Sequence, residues 1–290
     1  MPSWFPFHRS SPRKDALALD LPERGPTTMP PNMSEIRRLD VQHFILRKQM
    51  GGNYLAPLTH PTAILDIACG TGRWAMEMAT SFPEAQVTGF DILMPTPTAS
   101  LGAGIAAIPT NVTFLQGDAR KPLAFADGAF DFVHLRLLYG VLPAASWEPL
   151  LREVVRVTRP GGWIESLEAL PFRTRQREGM AQIIAWFSDV LRMRGHDPII
   201  AVKLPVLLRA AGLSEVTRRE INESQHIEGE IEQRRQSGSF LIESLRGPVV
   251  AFGLATAVRF DEVATRAHHE LMGNSQQSGF NTYVTYGRRD

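Results

Sequence analysis

Cysteine is nearly missing from this sequence: Cys69 is the only one in 290 residues. An intramolecular disulfide is therefore excluded, and a cysteine-based zinc site has no ligand set to draw on; no metal is expected. This scarcity fits a reducing compartment. No sign of charge dominates either. Lys and Arg number 31 against 30 Asp and Glu, a formal net charge of +1. Nothing therefore marks the surface as a binder of nucleic acid or of an acidic membrane. The arginine pairs 234–235 and 288–289 read as solvated. Long apolar runs are absent too, so no segment suits a bilayer crossing. The opening MPSWFPFHRSSPRK lacks the apolar stretch of a signal peptide. The expectation is a cytoplasmic protein with neither membrane nor nucleic acid as a partner.

What is present is a regular alternation. Residues 1–32 are rich in Pro, Ser, Thr and Arg without any period, which predicts a disordered tail. Its Trp4, Phe5 and Phe7 leave a homo-oligomer open. Residues 33–60 read as an N-terminal helical cap, its helix opening at Ser34 and closing at Gly51-Gly52. Residues 61–170 alternate strands (63–69, 86–92, 112–118, 130–137, 163–169) with helices (73–82, 147–157 and a poor one near 99–107). The helix at 147–157 is expected to end in the turn Arg159-Pro160-Gly161-Gly162. Residues 171–290 turn helical (175–194, 201–211), with strands at 213–220 and 280–289 and a long polar, partly helical stretch between. This order predicts an α/β fold, a doubly wound, Rossmann-like, mostly parallel seven-stranded sheet, with a helical lid after it.

The densest chemistry lies at DIACGTGRWA (66–75), where a strand turns into a helix. Glycines there let the backbone turn sharply and approach a ligand, and the helix start offers unpaired N–H groups. Gly70, Gly72 and Ala75 also match the G-x-G-x-x-G/A pattern of NAD-binding folds, and Asp91, ending the next strand, suits a ribose diol in either case. Three features favour a different nucleoside cofactor. Asp66 lies within the first strand, where a pyrophosphate would be repelled but an ammonium and a sulfonium would not. Gly117-Asp118-Ala119 puts an acid at the end of the third strand. Arg159-Pro160-Gly161-Gly162 leads tightly into the fifth.

At these residues the sequence resembles the class I S-adenosylmethionine-dependent methyltransferases. DIACGTG is similar to their first motif, GFDI to their ribose-binding acid, GDA to their adenine corner and RPGGWIE to their turn into strand five. The stretches RRLDVQHF, GGNYLAPL and FDFVHLRLL add a resemblance to a subgroup typified by fungal regulators of secondary metabolism and bacterial relatives. The resemblance implies that Asp66, Ala68, Gly70 and Gly72 line the methionine end of S-adenosylmethionine. It implies that Asp91 holds the ribose with Ile92 against the adenine, while Asp118 and Ala119 fix the adenine edge. It puts His134 beside cofactor or acceptor, and has the first helix and its Tyr54 close over the site. Cys69 reads as a small packing residue.

A methyl transfer needs alignment and exclusion of water, and a general base only for a protonated acceptor. His134, near the carboxyl end of strand four, is the candidate base; packing against the cofactor is the structural reading. Arg136 and, on the first helix, His43 are candidate acceptor-binding residues, set against an ion pair and an apolar helix face respectively. No Asp/Asn-Pro-Pro-aromatic tetrapeptide follows strand four, which with the near-neutral charge favours a small-molecule acceptor at O, N or C. Helix 34–50 and residues 223–277 are expected to shape its pocket. A cofactor-binding regulator acting through protein partners and an NAD-dependent oxidoreductase stay open as alternatives.

Overall fold

The computed structural model describes residues 33–95, 107–171, 178–221, 230–273 and 281–290. The expected disordered tail, most of the poor helix near 99–107 and His226 lie outside them. Seven strands form one sheet: β1 (Ala63–Ile67), β2 (Gln86–Asp91), β3 (Val112–Gln116), β4 (Phe130–Arg136), β5 (Thr158–Leu170), β6 (Leu213–Ile221) and β7 (Asn281–Arg289). Their order is β3-β2-β1-β4-β5-β7-β6. All pairings are parallel except those of β7, which runs antiparallel between β5 and β6. The helices are α1 (Met33–Met50), α2 (Arg73–Ser81), α3 (Trp147–Val157), α4 (Glu178–Met193), α5 (Ile200–Ala210), α6 (Glu230–Ala251) and α7 (Ala257–Met272).

Both faces of the sheet are covered, which is why β1 reads as a near-continuous apolar run. Ile64, Val87, Phe132 and Leu167 pack on one face with Trp74 and Met78 of α2 and Leu46 of α1. Leu65, Val133, Leu135 and Ile164 pack on the other with Leu150 and Val154 of α3 and Leu204 of α5. A third cluster joins α4, α6 and α7 through Ile183, Trp186, Leu245, Phe260 and Val263. Trp186 stacks on Phe260 with centroids 5.5 Å apart. Glu270 of α7 accepts the Gly179 and Met180 amides at 3.0 and 2.8 Å, capping the start of α4.

The expected turn at Arg159-Pro160-Gly161-Gly162 is instead part of β5, which begins at Thr158 and shifts register opposite Phe130 and Phe132. Asp131 holds it there, accepting Arg159 Nε at 2.5 Å along with Thr62 Oγ1 at 2.8 Å and the Ala63 amide at 2.9 Å. A Cβ on Gly162 would stand 2.9 Å from the carbonyls of Arg159 and Asp131, so only glycine fits the bulge. The topology places one crevice above the carboxyl ends of β1 and β4, where the chain leaves β1 to build strands on either side.

Candidate active site

Between β1 and α2 the chain takes left-handed conformations at Ala68 (φ 57°), Gly70 (φ 58°) and Gly72 (φ 75°). Such alternation curls a loop so that its amides face inward, a concavity suited to electronegative atoms. Gly72 is required twice over, because a Cβ would also overlap the Phe114 ring of β3. Around Gly70 the nearest atom to such a Cβ is Leu39 Cδ1 of α1 at 3.8 Å, so there only the backbone angle demands glycine. Cys69 packs its sulfur against Gly89, and burial among Asp66 and Asp91 raises its thiol pKa well above the usual value. It is a packing residue with no thiolate to offer.

The second and third strand ends close the adenosine side. Asp91 accepts the Gly70 amide through Oδ2 at 2.9 Å and the Leu93 amide through Oδ1 at 3.0 Å. A carboxylate oxygen has room for a second donor, so both can still meet a diol. The Gly117 amide reaches Asp91 O at 2.8 Å and Gln116 Nε2 reaches Ile92 O at 3.0 Å, tying the two corners together. Half-buried Asp118 is held by Arg120, whose Nε and Nη2 donate at 2.9 Å and keep the carboxyl below its usual pKa. Ala68, Ile92 and Ala119 are likewise partly exposed at this end of the sheet.

Beneath the loop lies a polar layer. Asp66 is beside His134 across the β1–β4 pairing, and His134 Nδ1 bonds Asp66 Oδ1 at 2.8 Å. The imidazole stacks flat on Trp74, centroids 3.9 Å apart and planes 5° from parallel. Burial lowers its pKa against the pull of Asp66, so the neutral ring donates to the carboxylate. The expectation of a catalytic base meets a ring that is 1% exposed, stacked on Trp74 and bonded to Asp66. His134 orients Asp66, whose Oδ2 receives no hydrogen bond among the described residues.

His43, expected at the acceptor, is 3% exposed: its Nδ1 meets Arg136 Nη1 at 2.9 Å and its Nε2 lies 3.1 Å from Glu77 Oε2. Glu77 also receives Arg47 at 2.7 Å and Arg73 at 2.9 Å. Burial raises its carboxyl pKa, but the bonds from His43 and the two arginines outweigh that and hold it far below the usual value. Glu77→Gln should cost about 3 kcal/mol, because it strips the charge that compensates buried Arg73 and half-exposed Arg47. Urea unfolding at pH 7 measures it; a loss under 1 kcal/mol would mean the network is loose.

Tyr54 does not close over the site. Its ring packs on Phe82 and Phe132 at 5.9 and 6.0 Å, near the far end of α2 from the glycine loop. The loop carrying it is drawn there by Glu165 of β5, whose Oε2 accepts the Leu55 and Ala56 amides at 2.8 and 2.7 Å. What covers the glycine loop is α1 itself, through Leu39 over Gly70 and Asp40, which accepts Thr71 Oγ1 at 2.9 Å.

Three residues not singled out from the sequence shape the other wall. Glu168 of β5 accepts the Leu138 amide at 3.0 Å and the Tyr139 amide at 2.9 Å, fixing the turn after β4, where Leu137 is left-handed at φ 55°. Tyr139 meets Phe187 of α4 edge-on at 6.3 Å. Burial raises Glu165 to a pKa of about 7 and Glu168 to about 8. A carboxyl whose folded pKa is raised costs stability as pH climbs from its unfolded value through its folded one. Buried His43 and His134, both lowered, act only below their unfolded pKa near 6.5. Stability should therefore fall by about 2 kcal/mol between pH 6.5 and 8.5. Urea unfolding at the two pH values checks this, and a flat or rising profile would show the glutamates to be ordinarily solvated.

A glycine loop with acids at the neighbouring strand ends has counterparts in known proteins. Residues 64–162 match the family model described as methyltransferase domain. By that match residues 64–162 are similar to a methyltransferase domain. Methyltransferase str3 of Strobilurus tenacellus is 35% identical over 141 residues, 48% of this chain and 47% of that protein. Protein-methionine methyltransferase laeA of Emericella nidulans is 32% identical over 148 residues, 50% of this chain and 37% of that one. The match thus spans under half the length of either relative. In fold the chain is similar to human N-acetylserotonin methyltransferase in complex with S-adenosylmethionine, with a TM-score of 0.50 and 15% identity over 89% of this chain and 55% of the other. The match ends at the bulge of β5, so α4 to α7 lie beyond the matched residues.

Proposed function

We propose that the protein transfers a methyl group from S-adenosylmethionine to a small-molecule acceptor at O, N or C. The observation that carries this reading is cover by helices at the carboxyl end of the sheet: α1 lies over the glycine loop through Leu39 at Gly70, and α4 meets the turn after β4 through Phe187 against Tyr139. A site covered in this way suits a compact acceptor more than an extended polymer. S-adenosylmethionine supplies an electrophilic sulfonium methyl. Asp91 would grip its ribose, Ile92, Asp118 and Ala119 its adenine, and Asp66, Ala68, Gly70 and Gly72 its methionine end.

The chain's own contribution is placement. His134 holds Asp66 in one orientation, Glu168 holds the Tyr139 turn, and α1 holds the loop through Asp40 on Thr71. No residue here is assigned as a general base, which fits an acceptor that needs none. On this reading residues 33–60, together with α4, α6 and α7, form the lid that selects the acceptor, and residues 61–170 bind the cofactor.

The test is to incubate the protein with methyl-labelled S-adenosylmethionine and a cell extract split into low-mass and macromolecular fractions. Label in low-mass products supports the reading. Label confined to protein would replace it with a protein acceptor, the class named for the Emericella nidulans relative.

A further inference from the structure

Arg136 ends β4, two residues beyond the His134 that pairs with Asp66, and so stands level with the point where β1 gives way to the glycine loop. Its guanidinium has one hydrogen-bond partner among the described residues, His43 Nδ1 at 2.9 Å. Arginine carries donors only, so Nδ1 must be the acceptor and the ring proton sits on Nε2, toward Glu77. The partner of this arginine is therefore an uncharged imidazole.

The two acids whose charge Arg136 feels are Asp66 and Glu77. Both are committed elsewhere: Asp66 Oδ1 bonds His134, and Glu77 takes Arg47, Arg73 and His43. A partly buried cation whose nearby acids are both engaged by other groups is costly unless a ligand brings an anion. Arg136 is still partly exposed. Asp66, whose charge it feels, keeps one oxygen that no donor among the described residues reaches.

A carboxylate and a guanidinium side by side match the two ends of a free amino acid. We propose that Arg136 holds the α-carboxylate of the methionine moiety of S-adenosylmethionine, while Asp66 faces its ammonium. This rests on the cofactor reading given above and adds a residue outside the glycine motif. It also gives the buried His43–Glu77 network a purpose, since that network aims the guanidinium without neutralising it.

The experiment is calorimetric titration of the full chain and of Arg136→Gln with S-adenosylmethionine and with its decarboxylated form, which lacks only that carboxylate. The wild-type protein should prefer S-adenosylmethionine by about 10- to 100-fold, the range of a charge-assisted hydrogen bond. Arg136→Gln should lose that preference while binding the decarboxylated ligand as before. Equal losses for both ligands would make Arg136 a structural residue and overturn the proposal, as would unchanged binding of S-adenosylmethionine. If Arg136→Gln does not fold, the wild-type preference still decides, since equal affinity for the two ligands excludes a carboxylate contact. Failure of the wild type to bind either ligand would instead overturn the cofactor reading itself.

Discussion

Asp91→Ala is expected to lower affinity for S-adenosylmethionine and S-adenosylhomocysteine by at least about 100-fold, with the fold retained. Two charge-assisted hydrogen bonds to a ribose diol, at about 1.5–3 kcal/mol each, account for that size. The substitution also frees the Gly70 and Leu93 amides that Asp91 now accepts at 2.9 and 3.0 Å, so the loop itself loosens. Asp118→Ala should cost less, about tenfold, because Arg120 already occupies both of its oxygens. Calorimetry on the two variants, with circular dichroism for the fold, gives the comparison. An Asp91→Ala protein that binds as wild type would remove the ribose assignment.

Gly72→Ala should be the most damaging small substitution to stability, at about 3 kcal/mol. A left-handed alanine costs about 1–2 kcal/mol, and overlap with the Phe114 ring adds about 1–3 kcal/mol of overpacking. Gly70→Ala isolates the first contribution, since the space around it is open, and should cost about 1 kcal/mol. Phe114→Ala in the Gly72→Ala background should recover part of the loss, a coupling measurable in a double-mutant cycle by urea unfolding. Equal costs at the two glycines would show that backbone angle alone, and not the β3 ring, makes Gly72 necessary.

The parts legible in the sequence were those with a local cause. Apolar runs between turn residues mark the strands of a sheet covered on both faces, and β7 is visible at FNTYVTYGRR because it is rich in aromatic and β-branched residues. Glycines at 70 and 72 announce a tight strand-to-helix turn, and acids at 66, 91 and 118 do fall at or near three neighbouring strand ends. Partners across the fold were not legible. His134 and Asp66 are 68 residues apart and meet through the sheet register, while Arg136 and His43 are 93 apart and meet where α1 packs beside the sheet. A histidine near a strand's carboxyl end therefore reads as a base until Trp74 is seen lying across it.

Glu165 and Glu168 left a fainter trace. They stand three apart in a strand buried from Ile164 onward, so their carboxyls face opposite sides of the sheet. Charges inside so apolar a strand signal backbone amides in need of an acceptor, which is what the Leu55, Ala56, Leu138 and Tyr139 amides are. Tyr54 misled because sequence proximity to α1 says nothing about which end of α2 it meets.

The most direct test is calorimetric titration of the wild-type chain with S-adenosylhomocysteine and NADH side by side, because a glycine loop followed by a strand-end acid is common to both cofactor classes. The arrangement of Asp66, Asp91 and Asp118 predicts stoichiometric binding of S-adenosylhomocysteine and none of NADH. Binding of NADH with no heat from S-adenosylhomocysteine would contradict the assignment of this cleft as a methyl-donor site.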